Sequence, residues 1–135
     1  MTEPIQVVAG IVVRNGRILC VQKGQTKYEY TSYKFEFPGG KVHSNEMAED
    51  ALQRELKEEL DLNVEILQDL GTFTHHYPDL SVSLHVFLCK DDVNDPVLKE
   101  HISLKWLFSN ELESLDWAAA DLPVVGILQR MTFEK

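Results

Sequence analysis

Cysteine is scarce in this chain. The two present, Cys20 and Cys89, form no CxxC or zinc spacing and each lies in an apolar run, so both read as reduced core thiols rather than as a disulfide or redox centre. Basic residues are also few, 13 Lys and Arg against 22 Asp and Glu, for a net charge of -9. That balance argues against holding long nucleic acids by their phosphates, which calls for a basic surface. It leaves room for a small phosphorylated ligand screened by metal ions. No apolar run approaches the roughly 18 residues of a membrane span. The opening MTEPIQ lacks the basic and apolar regions of a signal peptide, so a cytoplasmic protein with no membrane partner is expected. No repeat, low-complexity tract or linker divides the chain, and a single domain over 1–135 is the expectation.

What is present reads as alternating strands and helices. VVAGIVV (7–13) and RILCVQK (17–23) flank Arg14-Asn15-Gly16, whose Asn-Gly pair favours a tight hairpin. GQTKYEYTSY (24–33) reads as a loop, and KFEF as a short strand stopped by Pro38-Gly39-Gly40. From about Asn45 to Leu60 an apolar row at Ala48, Leu52, Leu56 and Leu60 predicts a helix, with Ser44 or Asn45 as its cap. Strands are expected over 63–77, 81–90 and 103–108, the second marked by alternation of Val82, Leu84, Val86 and Leu88. A last helix is expected over 121–131, with Asp121 as cap and Pro123 in its first turn. The order predicts an α/β protein with a mixed sheet between helices.

The septet RELKEEL, 54–60, crowds Glu55, Glu58 and Glu59 at i, i+3 and i+4 of that helix. Each like-charge pair costs a few tenths of a kcal/mol, and Arg54 offsets only part of it. Either the row is a solvated charged face, or a hard divalent cation, which prefers oxygen ligands, supplies the missing charge.

The stretch from Gly40 to Leu62 resembles the Nudix box, a pattern of G, five residues, E, seven residues, then R-E-U-x-E-E-x-G-U with U apolar. Gly40, Glu46, Arg54, Glu55, Leu56, Glu58, Glu59 and Leu62 match, and Asp61 stands in place of the last glycine. That departure lies at the helix C-terminal cap, where Asp takes left-handed dihedrals at a cost of about 1 kcal/mol, so it bears on stability more than chemistry. KFEFPGGK, YPDLSVSLHVFL, KEHISLKW and AAADLPVV extend the likeness to the MutT-type branch.

The resemblance implies a Nudix fold, a mixed β-sheet sandwiched between α-helices, and a magnesium or manganese site. Its ligands would be Glu58, Glu59 and the carbonyl of Gly39. Glu55 would be general base or a further ligand, with Arg54 orienting it and Glu100 serving metal or base chemistry. Lys23 and Lys41 resemble phosphate contacts; each also reads as a plain surface lysine. Gly39, Gly40 and Lys41 do not form a P-loop. Asp121 falls where MutT-like enzymes read the base edge, though it also suits a helix cap; an ionised carboxylate there accepts N–H donors from a guanine, 8-oxoguanine or cytosine edge. Phe37 and Tyr77 could wall a base by stacking or simply pack. The histidines carry no metal reading: His75 and His76 point to opposite faces of a strand, and His43, His85 and His101 lack ligand spacing.

The implied activity is metal-dependent hydrolysis of a nucleoside triphosphate to the monophosphate and pyrophosphate, by water attack at the β-phosphorus. The first-choice substrate is 8-oxo-dGTP, in nucleotide-pool sanitising and hence DNA repair. CTP or a modified dCTP is the alternative, followed by another diphosphate such as a dinucleotide or ADP-ribose. A non-hydrolysing nucleotide sensor would be expected to lose the helix carboxylates, which this chain keeps. Monomer and homodimer are equally compatible with the sequence.

Overall fold

A computed structural model describes residues 3–91 and 93–133. Strands β1 (Ile5–Arg14) and β2 (Arg17–Gln22) form the expected hairpin, with Asn15 and Gly16 at positive φ. They are followed by β3 (Phe35–Glu36), β4 (Gly39–Lys41), helix α1 (Ala48–Leu60), β5 (Glu65–His76), β6 (Ser81–Lys90) and β7 (Ser103–Leu107). Two short 3-10 turns, Ser109–Ser114 and Ala119–Asp121, lead into α2 (Leu122–Leu128).

The seven strands make one mixed sheet of order β3-β2-β1-β6-β5, with β4 on β1 and β7 on β2. Among the described residues, only the β1–β6 ladder is parallel. Alternation along the central strands divides the apolar side chains between two faces. Ala9, Ile11, Cys20, Leu84 and Val86 meet Val124, Val125 and Leu128 of α2 on one face. Val8, Val12, Leu19, Phe87 and Cys89 meet Ala51, Leu52, Leu56 and Leu60 of α1 on the other. The helices cover both faces, as expected of the α/β sandwich, and both cysteines are buried and unbonded, their thiols pushed up to about 12 by burial. Among the described residues no helix is long and apolar enough to cross a membrane.

Several boundaries differ from expectation. Helix α1 starts at Ala48 after Met47, and neither Ser44 nor Asn45 caps it. Instead the Glu46 carboxylate accepts the His43 N–H at 3.0 Å and turns the chain into the helix. The strand in KFEF does stop before Pro38, but Gly39 and Gly40 open a new one: β4 runs antiparallel to β1, Ala9 opposite Gly39 and Val8 opposite Gly40. A Cβ on Gly39 would lie 1.9 Å from the Val8 carbonyl oxygen, so only glycine permits this approach. Strand β5 carries two bulges, one closing at Gly71 with φ 105. The last helix is shorter than 121–131, its entry taken up by the 3-10 turn. Asp61 takes the left-handed geometry anticipated for it, φ 56 and ψ 37.

Candidate active site on the carboxylate helix

The exposed edge of α1, the β3–β4 connection, loop 24–31 and the segment Ala118–Asp121 enclose a cavity of about 830 Å³, within the range of small-molecule sites. Of the residues singled out in the sequence, it gathers Lys23, Phe37, Gly39, Lys41, Glu55, Glu59, Tyr77, Glu100 and Asp121. Arg54 and Glu58 do not line it.

The helix repeat explains the exclusion of Glu58. Residues i and i+4 diverge by about 40°, whereas adjacent residues diverge by about 100°. Glu55 and Glu59 therefore turn inward together and Glu58 faces solvent. Among the described residues, no three His, Cys, Asp or Glu side chains converge as metal ligands in their present rotamers. The unit facing the cavity is a pair.

That pair is held by its surroundings. Arg54 donates from Nε and Nη2 to the two oxygens of Glu46 at 2.7 and 3.0 Å, a bidentate clasp. Its Nη1 reaches Glu55 at 2.9 Å and Glu58 at 3.2 Å, while Nη2 also donates to the Lys41 carbonyl at 3.0 Å. Arg54 hydrogen bonding is the main cause holding the Glu46 carboxyl down at about 2, helped by the His43 N–H. Burial, then the charge and hydrogen bond of Glu55, then Glu100 and Glu36, push Glu59 up to about 8. Burial and the neighbouring negative charges thus make the ionised form of Glu59 costly in the absence of a counter-charge. An all-oxygen donor set whose negative charges lie too close to ionise together without a counter-charge fits a hard divalent cation.

At the opposite end, Asp121 is 6% exposed. Burial first, then the charge of Glu36, raise its pKa well above the usual carboxylate range, against the lowering effects of the Phe37 N–H and Lys23. The Phe37 N–H donates to its Oδ1 at 3.4 Å. Asp121 stands at the N-cap position of α2 as expected, but its side chain makes no capping bond, so that part of the reading is corrected. Burial favours the protonated form of Asp121, which can donate as well as accept, over the ionised, accept-only form expected from the sequence.

Tyr77 stacks on Tyr30 at 4.8 Å, and Tyr30 on Tyr28 at 5.1 Å, which ties loop 24–33 to the end of β5. The Tyr77 hydroxyl accepts the Ala120 N–H at 3.0 Å. Phe37 is buried with its ring against Trp117 at 4.6 Å, so most of it belongs to the core. Lys23 reaches Glu36 at 3.4 Å, and Lys41 stands exposed on the rim. Sequence reasoning missed Glu36, His101, Tyr28 and Tyr30. The only local signal was Glu36 inside KFEFPGGK; His101 joins it from 65 residues away.

Residues 4–125 match the NUDIX domain. An 8-oxo-dGTP diphosphatase from Buchnera aphidicola subsp. Schizaphis graminum is 29% identical over 129 residues, covering 96% of each chain. A CTP pyrophosphohydrolase from Escherichia coli is 31% identical, covering 90% of this chain and 88% of its own. Among solved structures, the DNA mismatch repair protein MutT (family Nudix hydrolase) from methicillin-resistant Staphylococcus aureus superimposes with a TM-score of 0.76 at 36% identity, covering 96% and 98%. With the box seated on α1, a cavity facing its carboxylates and the family match running through nearly every element, this chain belongs to the NUDIX domain family and is a hydrolase.

Proposed function

We propose that this single-domain, cytoplasmic enzyme hydrolyses a nucleoside triphosphate to the monophosphate and pyrophosphate, with 8-oxo-dGTP as first substrate. The observation that carries this reading is one cavity lined by the helix carboxylates Glu55 and Glu59 and also by Tyr77 and the buried carboxyl of Asp121. Phosphates belong at the carboxylate end and the base at the aromatic end.

Glu55, Glu59, Glu100 and the Gly39 carbonyl, all at the cavity, would hold the divalent ion, magnesium or manganese. Glu58, which faces solvent, would join them only by leaving Arg54 and turning inward. Bound there, the ion neutralises phosphate charge and acidifies an attacking water. The chain's own residues do the rest. Arg54 fixes the Glu55 carboxylate, which is placed to accept a proton from water as it attacks phosphorus. Lys23 and Lys41 offer ammonium groups to phosphoryl oxygens. Asp121 would accept from the ring N1–H of guanine or 8-oxoguanine, and its burial, which favours the protonated form, suits it to donate to the exocyclic O6 as well.

The same carboxyl suits the N3/4-amino edge of cytosine, and the likeness to a CTP pyrophosphohydrolase supports that second reading. Pyrophosphate release from a panel of normal and oxidised nucleoside triphosphates with magnesium tests both. Strong preference for 8-oxo-dGTP supports the first, preference for cytidine nucleotides the second, and no pyrophosphate from any of them overturns the assignment.

A further inference from the structure

We propose that Glu36 is the acceptor for a sugar hydroxyl of the bound nucleotide, and that His101 is the positioning residue that holds its carboxylate for this contact. This rests on the nucleotide reading of the cavity.

Glu36 lies on β3 opposite Val21, and both it and His101 line the cavity. One carboxylate oxygen meets Lys23 Nζ at 3.4 Å and the other meets His101 Nε2 at 3.0 Å. The carboxylate is therefore gripped from two sides while keeping lone pairs free. His101 is only 5% exposed in its side chain. Its Nδ1 is buried with no hydrogen-bond partner among the described residues. Burying an imidazole with one nitrogen unsatisfied is unfavourable. The ring gains nothing from Nδ1; what its place in the fold provides is the Nε2 bond to Glu36.

Position then decides what Glu36 contacts. Its charge is felt by Glu59 on one side and by Asp121 and Tyr77 on the other. A nucleotide spanning those ends has its sugar in the middle, because phosphate and base are joined through it. A carboxylate accepting from a sugar hydroxyl is a recurrent solution to nucleotide recognition. Held by Lys23 and His101, Glu36 is preorganised for it and need not surrender rotamer freedom on binding.

The test compares 2′-deoxy with 2′,3′-dideoxy nucleotides of guanine and cytosine, as triphosphates for turnover and as monophosphates for calorimetric binding. Loss of the hydroxyl should cost the wild type roughly ten- to a hundredfold in kcat/KM and in affinity. In Glu36→Gln that ratio should fall severalfold. His101→Asn, too short to reach, should behave likewise, and His101→Gln, whose amide can replace Nε2–H, should restore the ratio. An undiminished ratio in Glu36→Gln, or equal losses on both nucleotides, overturns the inference, as does a wild type blind to the hydroxyl. Hydroxyl-selective binding without turnover would keep Glu36 in place and remove the pyrophosphohydrolase reading instead.

Discussion

Gly40 and Glu55 are packed so closely that a Cβ on residue 40 would stand 2.4 Å from the Glu55 carboxyl carbon. The backbone of Gly40 is not in a left-handed conformation, so Gly40→Ala strains the carboxylate rather than the chain. Misplacing a reacting group by about 1 Å costs on the order of a hundredfold in rate. Gly40→Ala should therefore lose about a hundredfold in kcat with little change in its circular dichroism spectrum. Equal activity would show that Glu55 does not need its present position.

Glu55→Gln removes the group placed to take the proton and should reduce kcat by roughly 10²- to 10⁴-fold with the fold intact. The same change deletes a negative charge beside Glu59. Its pKa should fall from about 8 toward the ordinary glutamate range, measurable by carboxyl carbon NMR titration in the presence of a chelator.

Asp121 and Glu59 both have folded-state pKa values raised above the ordinary value, mainly by burial. Their contribution to stability is fully present below the unfolded pKa of about 4 and is lost as pH rises, for Glu59 over the span up to about 8. Metal-free protein should melt at progressively lower temperature from pH 5 to pH 8. Asp121→Asn, which cannot ionise, should flatten that slope; an unchanged slope would remove Asp121 from the account.

Glu46 works in the other direction. Its folded pKa of about 2 lies below the ordinary 4.5, so its clasp with Arg54 stabilises above the unfolded value and is lost as pH falls toward 2. Glu46→Gln should remove this acid-side loss and also loosen Arg54. We expect about a tenfold lower kcat, read together with the acid limb of the melting curve.

Asp61 can be tested for stability alone. Replacing it with glycine relieves the left-handed strain but breaks the exposed Lys57–Asp61 pair at 2.8 Å. Strain relief of about 1 kcal/mol exceeds the few tenths such a pair contributes. Asp61→Gly should gain about 0.5 kcal/mol in chemical denaturation, a result of zero or below showing that the pair outweighs the cap.

The parts of the fold written in local pattern were legible. Asn15-Gly16 announced a hairpin, Val82 through Leu88 a strand, though one buried on both faces rather than half-buried, and the spacing from Gly40 to Leu62 the helix that carries the site. Illegible were features that depend on what surrounds a residue. Nothing adjacent to Asp121 tells of its burial, which raises its pKa. Glu58 and Glu59 look equivalent in the septet, yet the helix turns one to solvent. His101 meets Glu36 only because β7 lies beside β2, which also holds β3.

Strand β1 pairs with β2, β4 and β6, drawing its neighbours from the beginning, middle and later part of the chain. The parallel ladder to β6 cannot form until most of the polypeptide has been made, and such distant pairings are slow to close. Because Val82 and Leu84 of β6, with Tyr77 and Leu80 just before it, line the cavity, its wall is incomplete until the late ladder is in place. Onset of catalysis during refolding should therefore coincide with completion of the whole sheet, making turnover a clock for the final folding step.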